Sequence, residues 1–263
     1  MNGVDVMRIK KRKQMIICMF IVLIITIFFV ILFQYFSREK DVLFYINNEP
    51  VFKEEIINSS EGISLSTRNE LMRKYNIKSE EFSWDKLIEG DKRAIDFLKE
   101  KVMYKSTYEK ILQINAKEND LIEKIDYKSI KKDFDKENKR RSGDKSNNKV
   151  VYGNINFTFD EYYQYINSNL AIQLRKKLID DGLLKIRDEE LKLVYENNKD
   201  MFKSENKETG KLEILPFEKV KSSVIDVGLN EKFNQYMEQK VKDASIKIKD
   251  EKKVINLLEE ELI

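Results

Sequence analysis

The chain has 263 residues and a formal net charge of +3, from 49 basic and 46 acidic side chains. The positive balance comes from residues 1–14, so the rest of the chain is close to neutral, which excludes a global electrostatic attraction to nucleic acid. A single cysteine excludes an internal disulfide bond. The long remainder must therefore be held together by an ordinary hydrophobic core.

An apolar segment without charged side chains runs from Met15 to Phe33. As a helix it would extend about 28 Å, which is close to the thickness of the hydrocarbon core of a bilayer. Basic residues precede it, so the positive-inside rule places the N-terminus in the cytoplasm and everything from about Ser37 outside. We predict a cytoplasmic flank over residues 1–14 and one transmembrane helix over residues 15–36 that contacts membrane lipid, with the bulk of the chain extracytoplasmic.

A cleaved signal peptide is the competing interpretation of this segment. The apolar stretch of a signal peptide usually spans about 7–15 residues and ends in small residues at the cleavage site. Here the segment is longer, and bulky Tyr35 and Phe36 stand where small residues are needed. Cys18 lies inside the apolar segment and not at its end, which disfavours lipidation. These features favour a retained anchor.

The rest of the chain is predicted to be mainly helical, because it contains few glycine and proline breaks. Short strands are expected at Val42–Ile46, with a return at Val51 and Phe52 after a turn, and at Ile246–Ile248. Apolar residues near Val254 and Leu258 predict a terminal helical turn.

Helix starts can be placed at several polar residues. Asp91 is expected to cap a helix that continues to about Asn115. Thr158 and Glu161 match a capping box, in which each side chain accepts a hydrogen bond from the other residue's backbone N–H group. A further helix is expected from about Asp188.

Two helices are predicted near the C-terminal end. The first has Pro216 at its first helical position and is closed by Gly228. The second carries an apolar stripe from Phe233 to Val241.

The segment 117–149 is dense in charge. Ser142–Asn148 predicts a solvated loop or hinge, within a charged region of about residues 131–149. The basic cluster Lys136–Arg141 has two interpretations: contact with anionic lipid headgroups or a phosphate, or a solvated helix end whose basic side chains suit the helix dipole.

The sequence offers no catalytic constellation. Without histidine there is no Ser–His or Cys–His nucleophile pair, and the lone cysteine lies in the predicted membrane segment. Asp133, Asp135 and Glu137 alternate with lysines, which argues against a metal site. We expect no catalytic residue, no cofactor and no bound metal.

Three motifs, in order, resemble SurA/PrsA-type extracytoplasmic chaperones: Ile46–Val51 followed by Lys53–Glu55, then Asp188–Phe202, then Pro216–Ile248. The resemblance implies a mainly α fold, with a SurA N-terminal-like helical chaperone domain over residues 37–249 and a helical extension over 250–263. It also implies that Val42–Ile46 and Ile246–Ile248 pair in one small sheet that joins the two ends of this domain.

The chain departs from this family where the parvulin isomerase module is expected. Only Lys203–Ile214 separates the second motif from the third, which is too short for a folded domain with its own core. The histidine pair typical of parvulin active sites is absent, and Arg187 replaces the Ser or Thr expected before Asp188. We therefore expect a family member without the isomerase.

Chaperone activity without catalysis needs amphipathic side chains that can contact unfolded polypeptide. The peptide-binding candidates are Tyr104, Tyr108, Tyr162, Tyr163 and Tyr165, and the alternative is that these tyrosines belong to the core or its boundary. The predicted partners are unfolded or newly secreted polypeptides and membrane lipid, not nucleic acid, and the oligomeric state stays open. Two other functions remain: an active peptidyl-prolyl cis-trans isomerase, or a membrane assembly protein with one fixed partner.

Overall fold

The computed structural model describes residues 19, 21, 23–28, 41–60, 62–206 and 210–262. The predicted cytoplasmic flank and most of the predicted span at residues 15–36 lie outside these residues. Within the described ranges, no helix combines the length and the apolar character that a membrane crossing requires.

The described chain is mainly helical, and its strands are short. Seven strands are present in the described ranges: β1 (Val42–Ile46), β2 (Glu49–Phe52), β3 (Leu87–Glu89), β4 (Lys92–Arg93), β5 (Lys203–Glu205), β6 (Leu212–Ile214) and β7 (Ile246–Ile248). From residue 41 onward the α-helices are α1 (Lys53–Ser60), α2 (Ile63–Lys74), α3 (Ala94–Glu118), α4 (Tyr127–Ser146), α5 (Phe159–Asp180), α6 (Asp188–Asn197), α7 (Phe217–Lys242) and α8 (Glu251–Leu262).

The first and last strands lie side by side, as predicted. β1 pairs antiparallel with both β2 and β7, and Tyr45 lies opposite Lys247. Asn47 strengthens this junction, because its backbone N–H donates to the carbonyl of Ser245 at 2.9 Å and its side-chain oxygen accepts from the Ser245 N–H at 2.9 Å. Asn47 and Asn48 both have positive φ angles, which suits the tight turn between β1 and β2. The two ends of the domain are thus joined across about two hundred residues.

α3 is the central helix of the core. It packs against α1, α2, α5, α7 and α8, and this explains its wide apolar surface, since a helix with several neighbours must bury more than one stripe. Ile95, Leu98, Val102 and Ile111 are fully buried along it.

The predicted cap of α3 is wrong. Asp91 lies in the turn between β3 and β4, beside Gly90 with its positive φ. The helix begins three residues later, where Asp96 accepts a hydrogen bond from the Arg93 N–H at 2.9 Å. The residues predicted at the start of the helix lie instead in the β3–β4 hairpin.

The predicted hinge at Ser142–Asn148 is also wrong, because α4 continues to Ser146. Arg140 pairs with Glu137 and with Asp144, each at 2.7 Å, so ion pairs three and four residues apart support the helix where the composition is typical of a loop.

Gly228 does not end a helix, and the two predicted C-terminal helices are one continuous helix, α7. A Cβ atom at Gly228 would lie 2.1 Å from Cδ1 of Ile186, so the glycine permits close approach of the segment before α6. Pro216 stands just before the helix, one residue earlier than expected.

Other boundaries agree with expectation. The capping box is present, with Glu161 N–H donating to Thr158 Oγ1 at 3.2 Å and Thr158 N–H donating to Glu161 Oε2 at 2.8 Å. α6 begins at Asp188, as predicted. The segment between α6 and α7 also contains the antiparallel pair β5–β6, which was not predicted from the sequence.

Candidate functional site

An open groove of about 490 Å³ lies where α3, α5 and α7 meet. We call it the groove. Its lining combines apolar, amide and charged side chains: Tyr108, Ala171, Ile172, Arg175, Asp226, Val227, Asn230, Phe233 and Asn234.

A second depression of about 290 Å³ adjoins the groove along α3 and α5, because Tyr108 and Ala171 line both. We call it the side pocket. Its remaining lining is mostly polar: Lys105, Glu109, Leu112, Gln164, Asn167 and Ser168.

The groove offers apolar contact together with neutral hydrogen-bonding groups. Phe233 is buried beneath it, Tyr108 is half-buried, and Ile172 is 65% exposed. Burial raises the pKa of the Tyr108 phenol, so this ring stays neutral at physiological pH. The amides of Asn230 and Asn234 are exposed at the same site, and each amide can both donate and accept.

Beneath the side pocket lies a buried set of polar side chains between α1, α3 and α5. We call Glu55, Lys110, Gln113 and Tyr163 the polar layer. Lys110 Nζ lies 2.6 Å from Glu55 Oε1, and both side chains are almost completely buried. The same carboxylate accepts from the Tyr163 hydroxyl at 3.3 Å and from the Phe52 N–H at 3.0 Å. A buried charge is tolerated when it is paired and hydrogen-bonded in this way.

Asn167 connects the polar layer with the side pocket. Its Oδ1 accepts from Gln113 Nε2 at 3.0 Å, and Gln113 Nε2 also donates to the Tyr163 hydroxyl at 3.2 Å. Asn167 Nδ2 is buried and has no hydrogen-bond partner among the described residues. A buried amide N–H group that lacks an acceptor costs free energy, so a carbonyl or a water molecule supplied from the side pocket would be stabilised there.

Glu109 is the second buried polar side chain at the side pocket. Its Oε2 accepts from Ser59 Oγ at 2.6 Å, and Lys105 Nζ lies 3.8 Å from its Oε1. Burial raises the pKa of the Glu109 carboxyl, although the Ser59 hydrogen bond and the nearby Lys105 oppose the increase. The carboxyl is therefore costly to ionise in its present surroundings.

The structure places only one of the five candidate tyrosines in the groove, Tyr108. Tyr104 lies one turn earlier on α3 and is 54% exposed. Tyr165 is also exposed, but it stacks on Phe157 at a ring separation of 5.1 Å, between α4 and α5.

Tyr162 and Tyr163 are not surface residues, which corrects their assignment as contacts for a bound polypeptide. Tyr162 is buried by α4, with its ring 5.7 Å from that of Phe134. Tyr163 is buried against Glu55 and Gln113, and burial raises its pKa well above the ordinary value. The alternative that these tyrosines belong to the core is correct for this pair.

The other groove and side-pocket residues were not predicted from the sequence, among them Ile172, Asn230, Asn167 and Glu109. Asn167 had a detectable signal, since it lies four residues after Tyr163 and three before Leu170 on the apolar face of α5. A polar residue in that position is either paired in the core or available to a ligand.

Within the described residues, no group of three or more His, Cys, Asp or Glu side chains could hold a metal ion. Comparisons of the chain with protein-family models, with curated proteins and with solved structures found no match. The geometry of the groove therefore carries the functional proposal.

Proposed function

We propose that the protein is a membrane-anchored, extracytoplasmic chaperone-like protein that binds unfolded or newly secreted polypeptides without catalysis. The observation that carries this proposal is the groove between α3, α5 and α7, with Tyr108, Ile172 and Phe233 at its apolar surface. A SurA/PrsA-type framework is the proposed family setting.

The shape of the groove suits an extended polypeptide. Because the groove is open, a long chain can lie across it without threading an end into a closed cavity. Its apolar surface can cover the hydrophobic side chains that an unfolded protein exposes, and each side chain covered gains about 1.5–3 kcal/mol when its burial is complete. Partial burial at an open site gives less, which favours reversible holding.

The polar lining suits a peptide backbone. Asn230, Asn234 and Gln164 carry amides at the groove and side pocket, and every peptide unit offers one donor and one acceptor that such amides can pair with. Contacts of this kind do not depend on the bound sequence. The combination supports binding of many different polypeptides.

The segment between α6 and α7 supports binding without isomerase chemistry. β5 and β6 pair with each other over Lys203–Glu205 and Leu212–Ile214, so the ends of this short connection meet in a hairpin. With no histidine in the chain, a parvulin-type histidine pair is not present.

Suppression of aggregation tests the proposal. The full-length protein, held in neutral-lipid nanodiscs, should reduce light scattering by an unrelated denatured protein. Ile172→Glu, in the groove, should weaken this effect several-fold, because an ionised carboxyl opposes apolar contact. The matched control is Leu193→Glu on α6, since the two native side chains are 65% and 62% exposed. Equal effects of the two substitutions, or no suppression by the native protein, would refute the proposal.

Two further measurements distinguish the alternative functions. Acceleration of prolyl isomerisation that a parvulin inhibitor abolishes would identify an active isomerase. One dominant adduct after crosslinking in cells, in place of many secreted proteins, would identify an assembly protein with a fixed partner.

The proposed topology has its own test. External protease on intact protoplasts should digest the chain beyond Ser37 and leave an N-terminal tag protected. Protection of the large domain, or a mature protein that begins after Phe36, would contradict the anchored extracytoplasmic arrangement.

A further inference from the structure

The loop between α4 and α5, residues 147–158, exposes apolar side chains to solvent. Val150 is 76% exposed and Tyr152 is 86% exposed, and Ile155 is also exposed. We call this segment the α4–α5 loop. Three exposed apolar side chains within six residues form a local patch that neither the groove nor the proposed chaperone function uses.

The α4–α5 loop is fixed from below by a buried arginine. Arg141 Nη1 donates to the carbonyls of Tyr152 and Asn154 at 2.9 Å and 2.8 Å. Its guanidinium lies 4.3 Å from the centre of the Phe157 ring. Hydrogen bonds to charged groups are about twice as strong as neutral ones, so this side chain holds the loop backbone firmly.

Asn138 fixes the other end of the α4–α5 loop. Its amide donates to the Phe157 carbonyl and accepts from the Phe157 N–H, both at 2.9 Å. The Phe157 ring faces Tyr162 and Tyr165 on α5, while Tyr152 and Val150 face solvent. The outward position of the two apolar side chains thus follows from an ordered backbone.

The surroundings of the patch are basic. Residues 137–156 contain five basic and two acidic side chains, and Lys145 and Lys149 are both exposed beside the patch. Lys149 Nζ lies 3.4 Å from Asp144 Oδ1, and Glu161 accepts a hydrogen bond from Asn154 Nδ2 at 2.9 Å, so the net basic charge is local. Basic side chains near a membrane attract anionic headgroups by about 1 kcal/mol each. Tyrosine and aliphatic side chains then suit the boundary between headgroups and acyl chains.

The predicted anchor brings a membrane within reach. From residue 36, where the predicted span ends, the chain can extend about 17 Å to Asp41. Asp41 and Tyr127, the first residue of α4, line the same depression, and the twenty residues of α4 extend about 30 Å from there. The α4–α5 loop can therefore touch the bilayer that holds the anchor when α4 lies along its surface.

We propose that the α4–α5 loop is a second membrane contact, which docks on anionic phospholipid with Tyr152 and Val150 at the headgroup boundary and with Lys145 and Lys149 against the headgroups. This contact rests on the proposed membrane anchor, but it goes beyond the proposed polypeptide binding and does not depend on the groove. It would fix the orientation of the domain above the bilayer.

Tryptophan fluorescence tests the proposal on the full-length protein in nanodiscs. Tyr152→Trp is compared with Leu65→Trp, which places the probe at another exposed apolar position, on α2. The signal of the native Trp84 is removed by subtracting the spectrum of the unsubstituted protein. We expect emission of the indole at position 152 to shift to the blue and to be quenched at least twofold by brominated acyl chains in nanodiscs with phosphatidylglycerol. In phosphatidylcholine alone, or at high salt, both effects should diminish, and the indole at position 65 should show neither.

The charge-reversed pair Lys145→Glu and Lys149→Glu, added to Tyr152→Trp, should reduce the quenching to the phosphatidylcholine level. Far-UV circular dichroism checks that the helices are retained. Equal quenching of the probes at positions 152 and 65, or quenching that does not depend on phosphatidylglycerol, would overturn the proposal. A blue shift that grows with protein concentration and not with lipid charge would assign the patch to contact between copies of the chain and would also overturn it.

Discussion

The polar layer and the side pocket contain neighbouring residues of α3 and α5, but they differ in how their buried polar groups are paired. Lys110 meets the Glu55 carboxylate at 2.6 Å, and Tyr163 and Phe52 complete the hydrogen bonding of that carboxylate. One residue earlier, Glu109 lines the side pocket with a raised pKa. Asn167, across the pocket on α5, has a buried amide nitrogen without an acceptor among the described residues.

Buried polar groups therefore have two roles here, one in stability and one in binding. In the polar layer the two buried charges are paired, although Gln113 Oε1 is buried without a partner among the described residues. The Glu55–Lys110 ion pair and the Tyr163 hydrogen bond fix how α1, α3 and α5 lie against one another, and breaking the ion pair should cost stability. Where pairing is incomplete beside an open surface, substitution should cost little stability and should instead change binding. Substitutions in the polar layer and at the side pocket should therefore differ in how much stability they cost.

Deleting residues 245–263 should have the largest effect, because both regions depend on a core that the two chain ends close. The deletion removes β7 from beside β1 and removes the buried Val254 and Leu258 of α8. We expect the free energy of unfolding to fall by about 5 kcal/mol or more, which is comparable with the whole stability of many domains. Urea unfolding followed by circular dichroism measures it, and an unchanged midpoint would contradict the proposed closure.

Lys110→Met should be the most damaging single substitution in the polar layer. It removes the partner of a buried carboxylate, and breaking a buried ion pair in this way costs about 3–5 kcal/mol. The matched control is Lys105→Met on the same helix. Lys105 forms a partly exposed ion pair with Glu109 at 3.8 Å, so its removal should lower the unfolding free energy by less than about 1 kcal/mol. If urea unfolding showed that both substitutions lower the unfolding free energy equally, the proposed difference between the polar layer and the side pocket would be wrong.

Glu109→Gln should increase stability at neutral pH by about 1 kcal/mol, the usual order for a single substitution. Glutamine can still accept the hydrogen bond from Ser59, and the buried charge is gone. Because the folded-state pKa of Glu109 is raised, the folded protein binds the proton more tightly than the unfolded chain does. Ionisation of Glu109 therefore lowers the stability of the native protein as pH rises from the ordinary carboxyl range through the raised pKa.

The pH dependence provides the control for this substitution. The stability advantage of Glu109→Gln over the native protein should be larger at pH 7 than at pH 5. It should shrink as the pH falls towards the ordinary range of a glutamate, where the native carboxyl becomes protonated in both the folded and the unfolded state. Unfolding in urea at pH 7 and at pH 5 measures the difference in unfolding free energy between the variant and the native protein at each pH. If the stability advantage of the variant grew as the pH fell, the ionised carboxylate would stabilise the fold, which contradicts the prediction.

Local sequence signals, together with the family resemblance, predicted much of the fold. The pairing of β1 with β7 was expected from the family resemblance, and the capping box at Thr158 and Glu161 from residue spacing. Errors arose where distant contacts override a local pattern. The pattern at Gly228 is typical of a helix end, but this glycine lies inside α7, where it makes room for Ile186.

The site was less predictable, because its parts come from helices far apart in the chain. Tyr108, Ile172 and Phe233 meet only through the packing of α3, α5 and α7, which no local spacing reveals. Residue type alone identified Tyr108 but also selected Tyr162 and Tyr163, which are buried. Amphipathic rings occur in cores as well as in binding surfaces.

Site-directed photocrosslinking tests most directly whether the groove binds polypeptides. A photoreactive amino acid is placed at Ile172 in the groove or at Leu193 on α6, two positions with nearly equal exposure of 65% and 62%. The full-length protein in nanodiscs is then irradiated with an unfolded polypeptide. We predict at least a fivefold excess of adducts at position 172, abolished by competing unlabelled unfolded polypeptide. Equal yields at the two positions would contradict the assignment of the groove as the binding site.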